Sequence, residues 1–231
     1  MSQAYRTRTA FALDALRQSP STGPRTILDV GFIGVYPEAT VHYAIVDAMC
    51  GVDQLVGIDV DAGRMASFLG NAKTRQRQAQ FNLYYGCMSI LEAGFADAAF
   101  DVVFMLEVFE HLLSPDDALR EVSRILKPDG SLVMTCPNLF SLTRVLRFLA
   151  QRDLLDEAYL RAFMGNDDHK SIPHLTCLVR YLDALGFRTR TVAFIKYDYR
   201  RLGFLNQLLP RFPLTRKLAS YVGVHAARPS A

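Results

Sequence analysis

Glu107, Glu110 and His111 stand together in the stretch LEVFEHL, directly behind the apolar run FDVVFM. Two carboxyl groups and an imidazole at this spacing can hold a cation, move a proton, grip a ligand or close a helix. An imidazole titrates near neutral pH without help, and a carboxyl reaches that range once it is buried. Further polar residues recur at the ends of other apolar runs. Asp29, Gly31 and Gly34 follow TIL, Asp59 ends QLVGID, and Cys87 and Met88 follow QFNLYYG. Pro137 and Asn138 follow SLVMTC. Which of these chemistries is available depends on the elements that bring the residues together.

The chain has 231 residues, half of them apolar, with Lys+Arg 26 against Asp+Glu 23 and a formal net charge of +3. That length suits one α/β domain over 1–231, and the apolar share can build a sizeable core. The charge balance is too mild for a dedicated nucleic-acid binder, so no nucleic acid is expected as partner. Four scattered cysteines form no CxxC pair and no disulfide pattern, which makes a reducing, cytoplasmic compartment the expectation. No apolar run is long enough to span a bilayer. The N-terminus lacks a signal-like apolar core and reads as an amphipathic helix within residues 1–22, with Phe11, Leu13 and Leu16 inward.

TILDV, QLVGID, QFNLYYG, FDVVFML and SLVMTC read as buried strands, with helices between them. Asp61 is placed to cap the helix AGRMASFL. SPDDALREVSRIL carries a start signal, with Ser114 as cap, Pro115 at the first helical position and Asp117 as the reciprocal acid of a capping box. Strands without polar alternation, separated by helices, predict a parallel sheet covered on both faces. After TCPN the pattern changes. Residues 139–175 read as a helical cap over a substrate. A helix CLVRYLDAL follows, with Thr176 as cap and Gly186 as stop, and RTRTVAFIKY and YVGVHAAR read as closing strands.

Ligands of open parallel sheets bind beyond the carboxyl ends of the strands. That edge collects Asp29, Gly31, Phe32 and Gly34; Asp59 and Val60; Cys87 and Met88; Leu106, Glu107, Glu110 and His111; and Pro137 and Asn138. Glycines after the first strand admit a ligand close to the backbone. An acid at the tip of the second is placed for ribose hydroxyls. The pattern points to an adenosine-like ligand. GFIGVY is not the dinucleotide fingerprint, and no phosphate loop of the G-x-x-x-x-G-K-[ST] kind occurs.

ILDVGFIG, LVGIDVD and FDVVFMLEVFEHLLSPDDALREVSRILKPDGSLVMTCPN resemble, in order and spacing, the motifs of class I S-adenosylmethionine-dependent methyltransferases. HLTCLVRYLDALGF resembles the late helix of the subgroup acting on quinones, sugars, polyketides and similar small molecules. The resemblance spans about residues 25 to 227. It implies a Rossmann-like, mostly parallel seven-stranded sheet, the last strand antiparallel, with helices on both faces and a helical cap insertion. It implies S-adenosylmethionine as cofactor. Asp29 and the Gly31 turn would face the methionine moiety, with Phe32 and Gly34 beside them. Asp59 and Val60 would hold the ribose, Cys87 and Met88 would lie at the adenine, and the backbone of Leu106 and Glu107 would meet the ammonium. Two departures stand out: Ile33 where many members have a second glycine, and Cys87 where many have an acid.

The implied activity is methyl transfer to an oxygen of a small or lipid-linked metabolite. His111 and Glu110 are the candidate acid–base pair, and His174 and Asn138 the candidate substrate-side residues. Glu110 and His111 can equally close a hydrogen-bond network at the strand end. Glu107, Glu110 and His111 also resemble the metal-binding set of RNA 3′-terminal 2′-O-methyltransferases, which would take a further ligand from His169 or His174; without that context no metal is expected. A non-catalytic partner protein that kept the fold is the remaining alternative, motivated by Ile33 and Cys87. Apolar faces bearing arginines in 139–163 and 200–219 are compatible with peripheral contact with a membrane.

Overall fold

The computed structural model describes residues 2–5, 7–21, 23–33, 40–142, 145–146, 173–195 and 213–228. Along the chain these form β1 (Ser2–Tyr5), α1 (Arg8–Gln18), β2 (Thr26–Val30), α2 (Thr40–Asp47) and β3 (Gln54–Asp59). Next come α3 (Ala62–Gly70), α4 (Ala72–Gln78), β4 (Asn82–Cys87), β5 (Phe100–Leu106), a 3-10 turn (Phe109–His111), α5 (Pro115–Ile125) and β6 (Leu126–Pro137). α6 (Leu175–Ala184), β7 (Arg188–Ile195), a short helix (Pro213–Arg216) and β8 (Tyr221–Ala227) complete the order. Gly34, His169 and most of the expected cap (143–144 and 147–172) lie outside the described residues, as does 196–212.

The strands form one sheet in the order β1-β7-β8-β6-β5-β2-β3-β4, with β8 antiparallel to both neighbours and every other pair parallel. The sheet has eight strands rather than seven. The extra one is β1, which pairs with β7 from Ser2↔Val192 to Tyr5↔Ile195. The segment expected to be wholly helical therefore begins as a strand. Its short polar sequence SQAY has no apolar alternation, and backbone pairing at a sheet edge supplies what the pattern does not.

The two faces of the sheet bury different sets. Leu28, Val30, Ile58, Val103, Met105, Leu132 and Met134 pack under α5 and α6. Ile27, Leu55, Val102, Phe104 and Val133 pack with Phe11, Leu16, Ile45 and Val46 of α1 and α2. Each fully buried side chain of this size stabilises the fold by about 1.5–3 kcal/mol. α5 shows how sequence selects the face: Ala118, Leu119, Val122 and Ile125 are buried, while Arg120 pairs outward with Asp116 at 3.1 Å.

Several local signals act as expected. Asp61 Oδ1 accepts from the Arg64 amide at 2.8 Å and caps α3. Gly186, at φ +86°, ends α6. Others are corrected. Ser114 precedes α5 but makes no side-chain cap bond, so the capping box does not form; the Ala118 amide bonds the Ser114 carbonyl instead, at 3.2 Å. Thr176 lies inside α6, whose cap position is held by His174. Lys127–Gly130 sit within β6 as an irregular start, with Asp129 at φ +62°.

Candidate active site

The chain order reverses between β2 and β5: β3 and β4 lie on one side of β2, β5 and β6 on the other. A crevice opens at such a reversal, at the carboxyl ends. Gly31 marks it. Its amide bonds the Ile58 carbonyl at 2.8 Å, its φ is +62°, and a Cβ there would stand 2.6 Å from Val108 Cγ2. Only glycine combines that backbone with that clearance.

On the β3–β4 side every acid has partners. Asp59, half-buried, accepts the Ile33 amide at 3.2 Å on Oδ2 and the Asp61 amide at 3.0 Å on Oδ1. Each oxygen keeps a second lone pair for a ligand. Val60 is 73% exposed and Met88 36%, so apolar surface flanks Asp59 at the strand tips. The Met88 amide bonds the Asp59 carbonyl at 3.0 Å, and the exposed Cys87 thiol donates to the Val60 carbonyl at 3.8 Å. Cys87 thus braces the loop of Val60. Asp29 is turned inward: its carboxylate accepts from His42 Nδ1 at 2.8 Å and is buried, which raises its pKa despite the opposing effect of His42. Phe32 is also inward, with its ring 4.4 Å from that of His42.

The β5–β6 side is different. Leu106 ends β5 opposite Thr135, and the Glu107 amide bonds the Thr135 carbonyl at 3.0 Å. Glu107 holds φ +62°, a left-handed backbone that costs a non-glycine residue about 1–2 kcal/mol. Its Oε2 lies 3.6 Å from Arg8 Nη1, at the start of α1. Glu110 is 0% exposed. Both oxygens of Glu110 are buried without a hydrogen-bond partner, and Glu107 and the Thr135 hydroxyl are buried beside each other. Burial, then the neighbouring charge of Glu107, pushes the Glu110 carboxyl up to about 8. Burial also raises Glu107, against the pull of Arg8. The same surroundings push the buried Cys136 thiol up. His111, next in line, is exposed. Among the described residues, no group of three or more His, Cys, Asp and Glu side chains is arranged to hold a metal ion.

The substrate-side candidates divide. His174 meets Phe140 edge-on, ring centres 5.3 Å apart. Asn138 is buried and committed: its Nδ2 donates to the Lys217 and Ala219 carbonyls at 2.8 and 2.7 Å, and its Oδ1 accepts the Phe140 amide at 3.1 Å. That side chain ties β6 to the approach to β8. Four contributors were passed over in the sequence: Arg8, His42, Tyr85 and Thr135. His42 carried one signal, a lone imidazole in the apolar helix TVHYAIV; the others depend on strand order.

Residues 38–134 match the family model of a methyltransferase domain. An uncharacterized protein of Mycobacterium tuberculosis (strain ATCC 25618 / H37Rv) is 46% identical over 43 residues, 19% of this chain and 15% of the relative, so the match spans a small part of that protein. Among solved structures, a SAM dependent methyltransferase from Aquifex aeolicus is 15% identical over 95% of this chain and 91% of its own, with a TM-score of 0.59. Geranyl diphosphate C-methyltransferase from Streptomyces coelicolor A3(2), in complex with Mg2+, geranyl diphosphate and S-adenosyl-L-homocysteine, is 16% identical over 95% and 79%, with a TM-score of 0.61. The 4+2 cyclase SpnF is 19% identical over 95% and 80%, also at 0.61. Residues 38–134 thus resemble a methyltransferase domain, and the solved structures share the fold over nearly the whole chain.

Proposed function

We propose that the protein transfers a methyl group from S-adenosylmethionine to an oxygen of a small or lipid-linked acceptor. The observation that carries this reading is the buried polar cluster beyond β5 and β6: Glu110, whose two oxygens have no hydrogen-bond partner, beside Glu107 and the Thr135 hydroxyl. Burying such groups without donors is costly. A ligand carrying an ammonium and a hydroxyl supplies hydrogen-bond donors, and a sulfonium supplies positive charge beside the carboxyl groups. The fit holds on the other side too, where Asp59 keeps free lone pairs between the exposed Val60 and Met88.

When bound, the cofactor supplies an electrophilic methyl on a positively charged sulfur. The protein supplies placement and proton handling. Asp59 holds the ribose hydroxyls, Val60 and Met88 face the adenine, and Asp29, through His42, holds the turn at Gly31. The Leu106–Glu107 tip lies at the methionine end. Glu110 holds a proton at neutral pH, and His111, at the exposed rim, is the base that takes the proton an acceptor hydroxyl loses. Exposed Leu113, Phe140 and Leu146 support an apolar acceptor, and His174 beside Phe140 belongs to that side. Among the described residues no helix is long and apolar enough to cross a membrane.

The test is calorimetric titration of ligand-stripped protein with S-adenosylmethionine and S-adenosylhomocysteine, beside Asp59→Ala. Micromolar binding, weakened about 100-fold or more in the variant, supports the reading; that loss is close to 3 kcal/mol. A folded protein that binds neither compound overturns it and favours a partner role for the domain.

A further inference from the structure

Asp29, Gly57 and Tyr85 stand side by side on β2, β3 and β4, because the register pairs Asp29 with Gly57 and Gly57 with Tyr85. Strands lie about 4.8 Å apart, so the outer two positions are roughly 10 Å apart and cannot bond directly. Gly57 leaves the middle of the row empty. His42 of α2 bridges the outer two, with Nδ1 2.8 Å from Asp29 Oδ2 and Nε2 3.0 Å from the Tyr85 hydroxyl. The imidazole is 1% exposed, and one neutral tautomer satisfies the whole row: Tyr85 donates to Nε2, and Nδ1–H donates to Asp29.

The same empty position admits Phe32. A Cβ at Gly57 would come within 2.8 Å of both the Phe32 and Tyr85 rings. Phe32 is boxed by His42, Phe68 and Tyr85, at 4.4, 4.9 and 5.4 Å between ring centres. The next residue, Ile33, donates its amide to Asp59. The row therefore ends on the acid assigned to the ribose.

We propose that His42 is a positioning residue for the nucleoside end of the ligand site: it ties β2 to β4 across Gly57, fixes Phe32 and Ile33, and so sets the Asp59 carboxylate. The proposal rests on the methyltransferase reading above. A purely apolar filling of this space would be as stable or more so, because burying a carboxylate and an imidazole costs desolvation. What the polar row adds is a defined geometry.

The test pairs calorimetric titration with S-adenosylhomocysteine, well below the melting temperature, with thermal melts of wild type, His42→Leu, His42→Asn and Tyr85→Phe. His42→Leu fills the space without either hydrogen bond; it leaves the buried Asp29 carboxyl unpaired and so lowers Tm, and at a temperature where it is still fully folded it weakens binding about tenfold or more. His42→Asn keeps a donor toward Asp29 and returns affinity to within about threefold of wild type; Tyr85→Phe weakens it about two- to fivefold. A folded His42→Leu that binds within about twofold of wild type overturns the proposal. Should His42→Leu fail to fold, Tyr85→Phe decides: wild-type affinity overturns, weaker binding at unchanged Tm supports. Wild type that folds but does not bind removes the methyltransferase reading, and this inference with it; wild-type binding with an indifferent His42→Leu removes the inference alone.

Discussion

The two halves of the sheet edge solve opposite problems. On the β2–β4 side, Asp29 and Asp59 are each fixed by partners within the protein. On the β5–β6 side, Glu110 lacks such partners, and Glu107 has a 3.6 Å ion pair with Arg8 and the neighbouring Thr135 hydroxyl. A satisfied network is rigid and ready to receive a ligand; an unsatisfied one stays costly until a ligand or proton completes it. On the function proposed above, the contrast gives binding to one half and charge handling to the other.

The largest effect is expected at the junction of the halves. Gly31→Ala forces a side chain into a left-handed backbone and against Val108, and should lower stability by about 3 kcal/mol, read from denaturant midpoints. A milder loss there would mean that the crevice is more yielding than drawn.

Exchanging an acid for an apolar residue of similar size should then have opposite signs on the two sides. Asp29→Leu leaves the buried His42 Nδ1–H unpaired and should cost about 2 kcal/mol. Glu110→Met removes a buried carboxyl without partners and should stabilise by about 1–2 kcal/mol at pH 8. Equal signs would erase the comparison.

The gain at Glu110 must also depend on pH. Glu110 keeps its proton in the fold up to about 8, well above the ordinary carboxyl value of 4.5. Between those values unfolding releases a proton, so wild-type stability is fully present at the acid end and declines as pH rises toward 8. Melts of wild type and Glu110→Met should diverge across that window and converge near pH 5. Parallel curves would show that the carboxyl is paired. The smallest effect belongs to Arg8→Ala, about 0.5 kcal/mol, because the pair it breaks is partly solvated; its clearer sign is a further rise of the Glu107 pKa, measurable by carboxyl NMR.

The sequence made the satisfied half partly legible and the orphaned half legible only as a question. Asp29, Gly31 and Asp59 announce themselves because apolar runs that end in Asp or Gly mark strand tips, and strand tips of a parallel sheet share an edge. Nothing in the order of residues says that Asp29 turns inward to His42, since that depends on Gly57 lying between Asp29 and Tyr85 in register. LEVFEHL raised the question of metal, proton or network; the burial of Glu110 and the lack of a partner for it belong to packing that spacing does not encode. β1 was missed because its pairing, not its pattern, makes it a strand, and Ser114 lost its capping box because local signals are only offers to the backbone.

The contrast is tested most directly by counting protons on binding. S-adenosylmethionine is titrated into wild type and Glu110→Gln at pH 7.5, in buffers of different ionisation enthalpy. Positive charge arriving beside Glu110 should expel its proton, so wild type should release more protons than the variant, by up to about three quarters of one. Identical proton counts in the two proteins would contradict the assignment of charge handling to this half of the edge.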